Sequence, residues 1–355
     1  MTSLVIQTSF LGDVVLTTPL IAELAARGSV DVVVTPAAAP LLANSPDIRT
    51  LHIYDKRGRD AGLGGLLRIA GRIRRAGPHA RAYIAQGSLR SASVARLAAV
   101  PERVGFDTSA ARALYTKRIP HRGDRHHAER LWRLAFPDDP AIEPTEGALR
   151  PRLYPGANDA RAVDAALAPL SGDGPLIVLA PGSVWGTKRW PYYAELAREI
   201  APRARLAVIG GPDDAELAQA IGDAVGSRRI VSAAGTLSLL ASAELIRRAA
   251  LLVTNDSSPQ HLASAMGTPT ITLFGPTVPA FGFGPLAPRS IALGTAGLDC
   301  RPCHHHGPQV CPLQHWRCMR ELTVGDVLRA VETILCDVSY GSRDGSVESR
   351  ESDRR

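Results

Sequence analysis

The chain has 355 residues, enough for two domains of roughly 150 to 180 residues each. Apolar residues make up 45% of it and charged residues 21%, which is ordinary for a globular protein. No apolar run approaches the roughly 18 to 20 residues that span a bilayer, and no basic segment precedes the first apolar residues. We therefore expect neither a membrane span nor a signal peptide, and a cytoplasmic location.

The formal net charge of +7 favours an anionic ligand, such as phosphate or an acidic glycolipid. The basic residues form only short clusters, such as residues 72–75, without the interleaved aromatic residues of single-strand binders. No nucleic-acid partner is therefore expected. Lysine occurs only at Lys56, Lys117 and Lys188, in a chain that otherwise uses arginine.

The first half of the chain alternates short β-rich runs with helical patterns, as βαβ units with a parallel sheet do. The predicted strands are residues 4–8, 31–35, 50–54, 82–85 and 103–106, with helices at 14–26 and 66–75.

The proline-rich residues 137–155 are typical of a linker, and the alternation restarts after them. An amphipathic helix at residues 324–335 is expected to pack on either half, and the polar residues 338–355 to be disordered. The sequence therefore predicts an α/β protein with two Rossmann-like domains that face a cleft. The predicted elements of the second half are strands at 176–180, 206–209, 251–254 and 270–274, and helices at 192–200, 213–225, 239–249 and 258–266.

Three loops follow predicted strands, and open α/β sheets bind ligands beyond the carboxyl ends of their strands. These loops are residues 9–13, 181–190 and 255–261. In the first loop, Asp13 lies between Gly12 and a hydrophobic helix. It is either a helix cap or the group that does the chemistry, and its sequence position leaves both interpretations open.

The second loop, APGSVWGTKRWP at residues 180–191, combines glycines that allow tight turns with polar side chains. Ser183, Thr187 and Lys188 offer hydroxyls and a cation to a phosphate, although the loop has no Walker motif. A surface loop with a solvated lysine explains the same residues equally well.

The third loop opens a helix with Ser257 and Ser258, directly after Asp256. Free N–H groups and the helix dipole make such a helix start an anion site. His261 follows one turn later, at what is predicted to be the exposed end. Capping by Asp256 or Ser257 is compatible with anion binding, because a cap uses only one or two of the free N–H groups.

Three motifs together resemble those of the ADP-heptose:lipopolysaccharide heptosyltransferases, glycosyltransferase family 9. They are TSFLGDVVLTTP at 8–19, PGSVWGTKRWP at 181–191 and NDSSPQHLASAMGTPTITLFGPT at 255–277. The resemblance covers residues 3–335, and segment 300–322 is similar to the heptosyltransferase II branch. It implies a GT-B fold and inverting transfer of heptose from ADP-L-glycero-β-D-manno-heptose to the lipopolysaccharide inner core. It also implies a lipid A–Kdo type acceptor, peripheral contact with the inner membrane, and no cofactor or catalytic metal.

The resemblance makes Asp13 the general base, and Lys188 with the helix start at Ser257 and Ser258 the groups that stabilise leaving ADP. It assigns residues 1–155 to the acceptor and 156–337 to the nucleotide sugar. Asp213, or its neighbour Asp214 or Glu216, would bind the ribose. The implied acceptor-side residues are Gly12, as clearance for the ligand, with Ser88, Arg90 and the pair His126 and His127. The implied donor-side residues are Ser183, Thr187, Lys188, Asp213, Leu237, Asp256, Ser257, His261 and Ser258, where the family commonly has glycine.

Four of the five cysteines lie close together in the chain, at Cys300, Cys303, Cys311 and Cys318. Their number suffices for a zinc or iron–sulfur site, but their spacing fits no common one. Reduced structural cysteines are expected, with a metal site or an adventitious disulfide as the alternatives, and no catalytic metal is predicted. The alternatives to heptose transfer are another GT-B enzyme with a different nucleotide sugar, either a glycosyltransferase or an epimerase, and a non-enzymatic metal-binding module.

Overall fold

The first half of the chain forms a six-stranded parallel sheet in the order β3-β2-β1-β4-β5-β6. The computed structural model describes residues 2–139 and 141–341, with side chains as far as 336. The strands are β1 (Ser3–Ile6), β2 (Val30–Val34), β3 (Thr50–Ile53), β4 (Arg81–Ile84), β5 (Glu102–Phe106) and β6 (Lys117–Ile119). The helices are α1 (Leu11–Ala25), α2 (Ala39–Leu42), α3 (Gly62–Arg75), α4 (Leu89–Leu97) and α5 (His127–Arg133).

The second half forms another six-stranded parallel sheet, in the order β12-β11-β10-β7-β8-β9. Its strands are β7 (Leu176–Ala180), β8 (Arg205–Val208), β9 (Ile230–Ser232), β10 (Leu251–Asn255), β11 (Thr270–Leu273) and β12 (Ser290–Leu293). Its helices are α6 (Ala157–Leu167), α7 (Tyr193–Ile200), α8 (Ala215–Val225), α9 (Leu239–Arg248), α10 (Ser258–Met266), α11 (Arg317–Arg320) and α12 (Val324–Gly341).

The central strands are buried along their whole length. Every residue of β2, β7 and β10 is buried, because helices cover both faces of each parallel sheet. No helix within the described residues is both long and apolar enough to cross a membrane.

Both sheets have the same strand order when each is numbered from its own first strand, the order of the dinucleotide-binding fold. The order reverses between β1 and β4 in one sheet and between β7 and β10 in the other. Ligands bind at such reversals, beyond the carboxyl ends of the strands. Helix α1 of the first domain contacts α10 of the second, so these two edges face each other across one cleft.

Several element boundaries differ from the sequence predictions. Helix α1 begins at Leu11 rather than at residue 14, which places Asp13 inside its first turn. Helix α12 packs on α7, β10 and β11 of the second domain and continues to Gly341, beyond residue 338, where disorder was predicted. Residues 342–355 lie outside the described residues. The short outer strands β6, β9 and β12 were not predicted.

Candidate active site

One pocket between the two domains gathers most of the predicted site residues. Its predicted members are Gly12, Asp13, Ser183, Lys188, Asp256, Ser257, Ser258 and His261. Its further members are Phe10, Val184, Trp185, Thr277, Val278, Phe281, Phe283, His305 and His306. The loops after β1, β7 and β10 therefore meet, as the sequence predicted for loops at the carboxyl edge.

Asp13 is the carboxylate that the first domain contributes to this pocket. Phe10, not Asp13, is the N-cap of α1, and it makes no side-chain capping bond, so the cap interpretation of Asp13 is wrong. The Ser9 hydroxyl donates to Oδ2 of Asp13 at 2.5 Å, and His127 Nε2 lies 3.5 Å from Oδ1. The Asp13 side chain is 18% exposed, so it remains open to a ligand.

His127 presents a neutral imidazole to Asp13. Burial, together with the nearby Arg130 guanidinium, lowers the pKa of His127 to about 3. Arg130 Nη2 lies 3.5 Å from His127 Nδ1, and since a guanidinium can only donate, Nδ1 is the acceptor. The ring proton is then on Nε2, the nitrogen that faces Asp13.

The start of α5 also connects the two domains through hydrogen bonds. The backbone N–H of His127 donates to the Gly282 carbonyl at 2.7 Å, and His126 Nε2 lies 3.0 Å from the Gly284 carbonyl. A Cβ on Gly282 would lie 2.8 Å from the Arg125 carbonyl, and its φ is +89°, so only glycine suits this close approach. The histidine beside Asp13 is thus tied directly to the second domain.

Gly12 and His261 meet across the domain interface. A Cβ on Gly12 would lie 2.7 Å from His261 Cδ2, so the missing side chain makes room for this imidazole rather than for a ligand alone. His261 is 5% exposed, not at an exposed helix end as predicted. Burial lowers its pKa to about 4, and among the described residues its Nδ1 has no hydrogen-bond partner.

Lys188 and Asp256 form a buried ion pair on the opposite wall. Lys188 Nζ lies 2.6 Å from Asp256 Oδ2, and each side chain is 9% exposed. The Thr277 hydroxyl donates to the same oxygen at 2.6 Å, and Gln260 Nε2 donates to Oδ1 at 2.9 Å. These three donors fix the Asp256 carboxylate within its loop and hold the Lys188 ammonium at the pocket.

The first turn of α10 forms the floor beside this pair. Ser257 occupies the N-cap position without a side-chain capping bond, and Pro259 in the first turn has no N–H. The N–H groups of a first turn have no intrahelical acceptor, and the helix dipole adds positive potential there. The Ser257 hydroxyl donates to the Asn255 carbonyl at 3.4 Å, which leaves the Ser258 hydroxyl and the amides of Ser257 and Ser258 available to an anion.

The segment that contains the cysteines, residues 300–318, covers this side of the pocket. The Pro308 carbonyl accepts from both the amide and the hydroxyl of Thr187, so Thr187 does not reach the pocket. Gln309 Oε1 accepts from the Gly186 amide, and Gln309 Nε2 donates to the Val184 carbonyl. His306 stacks on Trp185 with ring centroids 6.1 Å apart.

The cysteines are free thiols in this segment. Cys318 is buried in the second domain's core, and burial raises its pKa to about 11. Cys300 Sγ lies 3.8 Å from His315 Nε2. Within residues 2–139 and 141–341, no group of three or more His, Cys, Asp or Glu side chains could hold a metal ion.

Besides Thr187 and the pair His126 and His127, four more predicted site residues lie outside the pocket lining. Asp213 is exposed, and Leu237 packs against the core. Ser88 caps α4, where its hydroxyl accepts from the Ser91 amide at 3.1 Å. Arg90 donates to the Lys56 carbonyl at 2.8 Å, beside a second pocket.

The second pocket adjoins the first along the edge of the first domain, and Phe10 lines both. Lys56, Arg57 and Tyr54 line it, together with Thr8 and Gln86 from the loops after β1 and β4. Burial and the neighbouring arginines lower the pKa of Lys56. Lys56 and Arg57 therefore place two cationic groups in this pocket.

Sequence reasoning missed part of the site. Trp185 and Thr277 lie within the quoted motifs and could have been found there. His127 was noted only as near an acceptor, while Phe283 and His306 come from loops whose positions depend on tertiary packing.

The model of glycosyltransferase family 9 (heptosyltransferase) matches residues 70–316. The chain belongs to this family. It is 29% identical over 298 residues to lipopolysaccharide heptosyltransferase 2 of Salmonella typhimurium, covering 78% of this chain and 84% of that one. It is 30% identical over 319 residues to lipopolysaccharide heptosyltransferase 1 of Pseudomonas aeruginosa, covering 84% and 85%.

A solved family 9 glycosyltransferase from Veillonella parvula superposes with a TM-score of 0.81 at 24% identity, covering 95% of this chain and 97% of that chain. The predicted GT-B fold and the predicted family are therefore confirmed, and the chain is a glycosyltransferase.

Proposed function

We propose that this family 9 enzyme transfers heptose from ADP-L-glycero-β-D-manno-heptose to a hydroxyl of the lipopolysaccharide inner core, with inversion. One observation carries the proposal: Asp13 of the first domain shares a pocket with Lys188 and the α10 N-terminus of the second. A base and an anion site on opposite walls suit displacement of a nucleoside diphosphate. Heptose is proposed as the sugar because both relatives reported above are named as lipopolysaccharide heptosyltransferases.

In the proposed reaction, the acceptor oxygen attacks the anomeric carbon as the bond from that carbon to the β-phosphate oxygen breaks. The hydroxyl proton passes to Asp13, and ADP leaves with the bonding electron pair. A carboxylate is a weak base towards an alcohol, but it suffices when the hydroxyl has become acidic late in the reaction. Such assistance typically contributes about 10²- to 10⁴-fold.

The charge that develops on the β-phosphate would meet Lys188 and the first turn of α10. An ammonium has three donors, and Asp256 occupies one of them. Two donors remain for phosphate oxygens, together with the Ser257 and Ser258 groups. Fixed donors of this kind stabilise developing charge without reorganising during the step.

His127 would orient the base in this scheme. Its Nε2–H faces Oδ1 of Asp13 while Ser9 holds Oδ2, so the carboxylate plane is fixed from both sides. Because the His127 imidazole is neutral, it directs the carboxylate without adding a cation beside it.

The basic pocket at Lys56 and Arg57 would receive the anionic groups of the acceptor. It lies next to Asp13's pocket, and Arg90 borders it through its bond to the Lys56 carbonyl. Phosphate or carboxylate groups of an inner-core sugar would pair with these cations. A lipid A–Kdo type anchor would place the reaction at the cytoplasmic face of the inner membrane.

The test is transfer by the purified full chain, with ADP-heptose and either a lipid A–Kdo acceptor or its heptosylated form, followed by mass spectrometry. A gain of one heptose on either acceptor supports the proposal, and the preferred acceptor identifies first or second heptose addition. Conversion of the nucleotide sugar without transfer would establish the epimerase alternative. If neither acceptor is glycosylated and another nucleotide sugar is used instead, heptose transfer is excluded.

A further inference from the structure

The positive charge of this protein is concentrated in one part of the first domain. Residues 61–100 contain seven arginines and neither aspartate nor glutamate, in a chain whose formal net charge is +7. They form α3, β4 and α4, and α3 packs beside α4. Arg68 and Arg72 pair with Asp60, and Arg81 pairs with Glu102. The other four arginines form no ion pair among the described residues, so α3 and α4 together carry a net positive charge: Arg74, Arg75, Arg90 and Arg96.

Helix α3 exposes leucines within this surface. Leu63 is 79% exposed and Leu67 is 59% exposed, whereas Ile69 and Ile73 are fully buried. Leu63, Leu67 and Arg74 point within about 40° of one another, because residues three to four positions apart share a helix face. An outward face that combines leucines with arginines is typical of helices that lie in a membrane interface.

This apolar and basic face lies beside the cleft. Helices α3 and α4 follow β3 and β4, so both begin at the carboxyl edge of the sheet. Leu63 is in the first turn of α3, and Leu89, 59% exposed, begins α4. The basic pocket at Lys56 belongs to the loop that leads into α3. A surface in contact with this face would therefore lie next to the mouth of that pocket.

We propose that this docking face, formed by Leu63, Leu67 and Leu89 with the arginines of α3, seats the enzyme on a bilayer that contains anionic phospholipids. Guanidinium groups pair with lipid phosphates, and leucines enter the boundary between headgroups and acyl chains. The choice of a bilayer rests on the proposed function, since a lipid A-anchored acceptor projects from one. Docking on this face would bring that acceptor directly to the basic pocket.

The test is co-sedimentation of the full chain with vesicles of phosphatidylethanolamine and phosphatidylglycerol, compared with phosphatidylcholine alone. Wild type should bind the anionic vesicles, and high salt should weaken the binding. The double variant Leu63→Ser/Leu67→Ser should lose about tenfold or more in vesicle affinity. Arg74→Ala/Arg75→Ala should lose about fivefold per arginine.

Val310→Ser/Leu313→Ser is the matched control, because Val310 is 64% and Leu313 60% exposed on the second domain. It should bind vesicles like wild type. The proposal is overturned if the Leu63→Ser/Leu67→Ser protein also binds like wild type, or if wild type binds no vesicles. The proposal is also overturned if the Leu63→Ser/Leu67→Ser variant changes only the oligomeric state, measured by light scattering. That result would mean that the face binds a second copy of this chain.

Vesicle binding and heptose transfer can fail separately. The Leu63→Ser/Leu67→Ser protein should keep wild-type transfer to a delipidated, water-soluble core oligosaccharide. Loss of that transfer, or of the wild-type melting temperature, would mean that the leucines serve the fold and not docking. Wild type that binds vesicles but transfers no heptose would refute the proposed function and leave the docking face standing.

Discussion

The contact between Gly12 and His261 limits how closely the two domains approach. A Cβ on Gly12 would lie 2.7 Å from Cδ2 and 3.3 Å from Nε2 of the imidazole. Carbon atoms in contact normally keep about 3.5–4.0 Å between them. Because His261 is buried, its ring has little room to turn away. We therefore expect the variant Gly12→Ala to move the domains apart by roughly 1 Å, at the turn of α1 that carries Asp13.

A shift of about 1 Å between reacting groups costs about 10²-fold in rate, or about 2.7 kcal/mol of transition-state stabilisation. The free energy of unfolding should change less. Overpacking costs about 1–3 kcal/mol, but alanine gains up to about 1 kcal/mol over glycine in a helix, and domain opening relieves the clash. We therefore expect kcat/KM to fall about a hundredfold, with a melting temperature within a few degrees of wild type.

The assay is initial-rate transfer with varied ADP-heptose, paired with calorimetric titration of ADP. ADP affinity should stay near wild type, because the proposed nucleotide contacts come from the second domain. Gly222→Ala is the matched control: its added Cβ in α8 meets no atom within 4 Å, so activity should not change. A Gly12→Ala enzyme with wild-type kcat/KM would refute the reasoning that catalysis needs closure onto this contact.

Three further predictions concern the groups around the pocket. Lys188→Arg should lower kcat about 10²- to 10³-fold, the cost of one misplaced donor; wild-type kcat in steady-state transfer assays would contradict this. His127→Phe should lower kcat but not ADP affinity, and should add no further loss to Asp13→Asn; independent losses in this double-mutant cycle would exclude positioning of the base. The pKa values of His261, about 4, and His127, about 3, lie below the unfolded value near 6.5, so the native state binds fewer protons. The two histidines should contribute fully to the free energy of unfolding above pH 6.5. Below pH 6.5 the free energy of unfolding should decrease as the pH falls, by up to about 1.4 kcal/mol per pH unit for each histidine. Equal urea midpoints at pH 7 and 5 would contradict this.

The central strands could be predicted from the sequence because burial on both faces leaves runs that are mostly apolar. Strand β7, Leu176–Ala180, was predicted at its exact bounds. The missed strands β6, β9 and β12 are outermost in their sheets and only three or four residues long. Strand β6 also carries Lys117 and Arg118, since an edge strand needs no continuous apolar run. Their strand conformation comes from pairing with a neighbour, which a local pattern does not show.

The site was predictable where residues follow strands and not where loops cross the cleft. Asp13 and Lys188 stand next to central strands, so topology alone brought them to one edge. Thr187 is adjacent to Lys188 in sequence, but the Pro308 carbonyl, over a hundred positions away, takes its hydroxyl. The contact between Gly12 and His261 could not be predicted from the sequence, because it exists only after the two domains meet.

The arrangement around Lys188 gives a physical reason for a lysine in a chain that otherwise uses arginine. A Cβ on Gly307 would lie 3.4 Å from Lys188 Cγ, so the segment that contains the cysteines packs against the stem of this side chain. Beside Asp256, an arginine would form a two-bond fork and turn its donors towards the carboxylate. The ammonium gives Asp256 one hydrogen bond and keeps two for a phosphate. Under the proposed function, the Asp256 pair would hold the cation in place before nucleotide binds, and such fixed donors would stabilise the leaving group without reorganising.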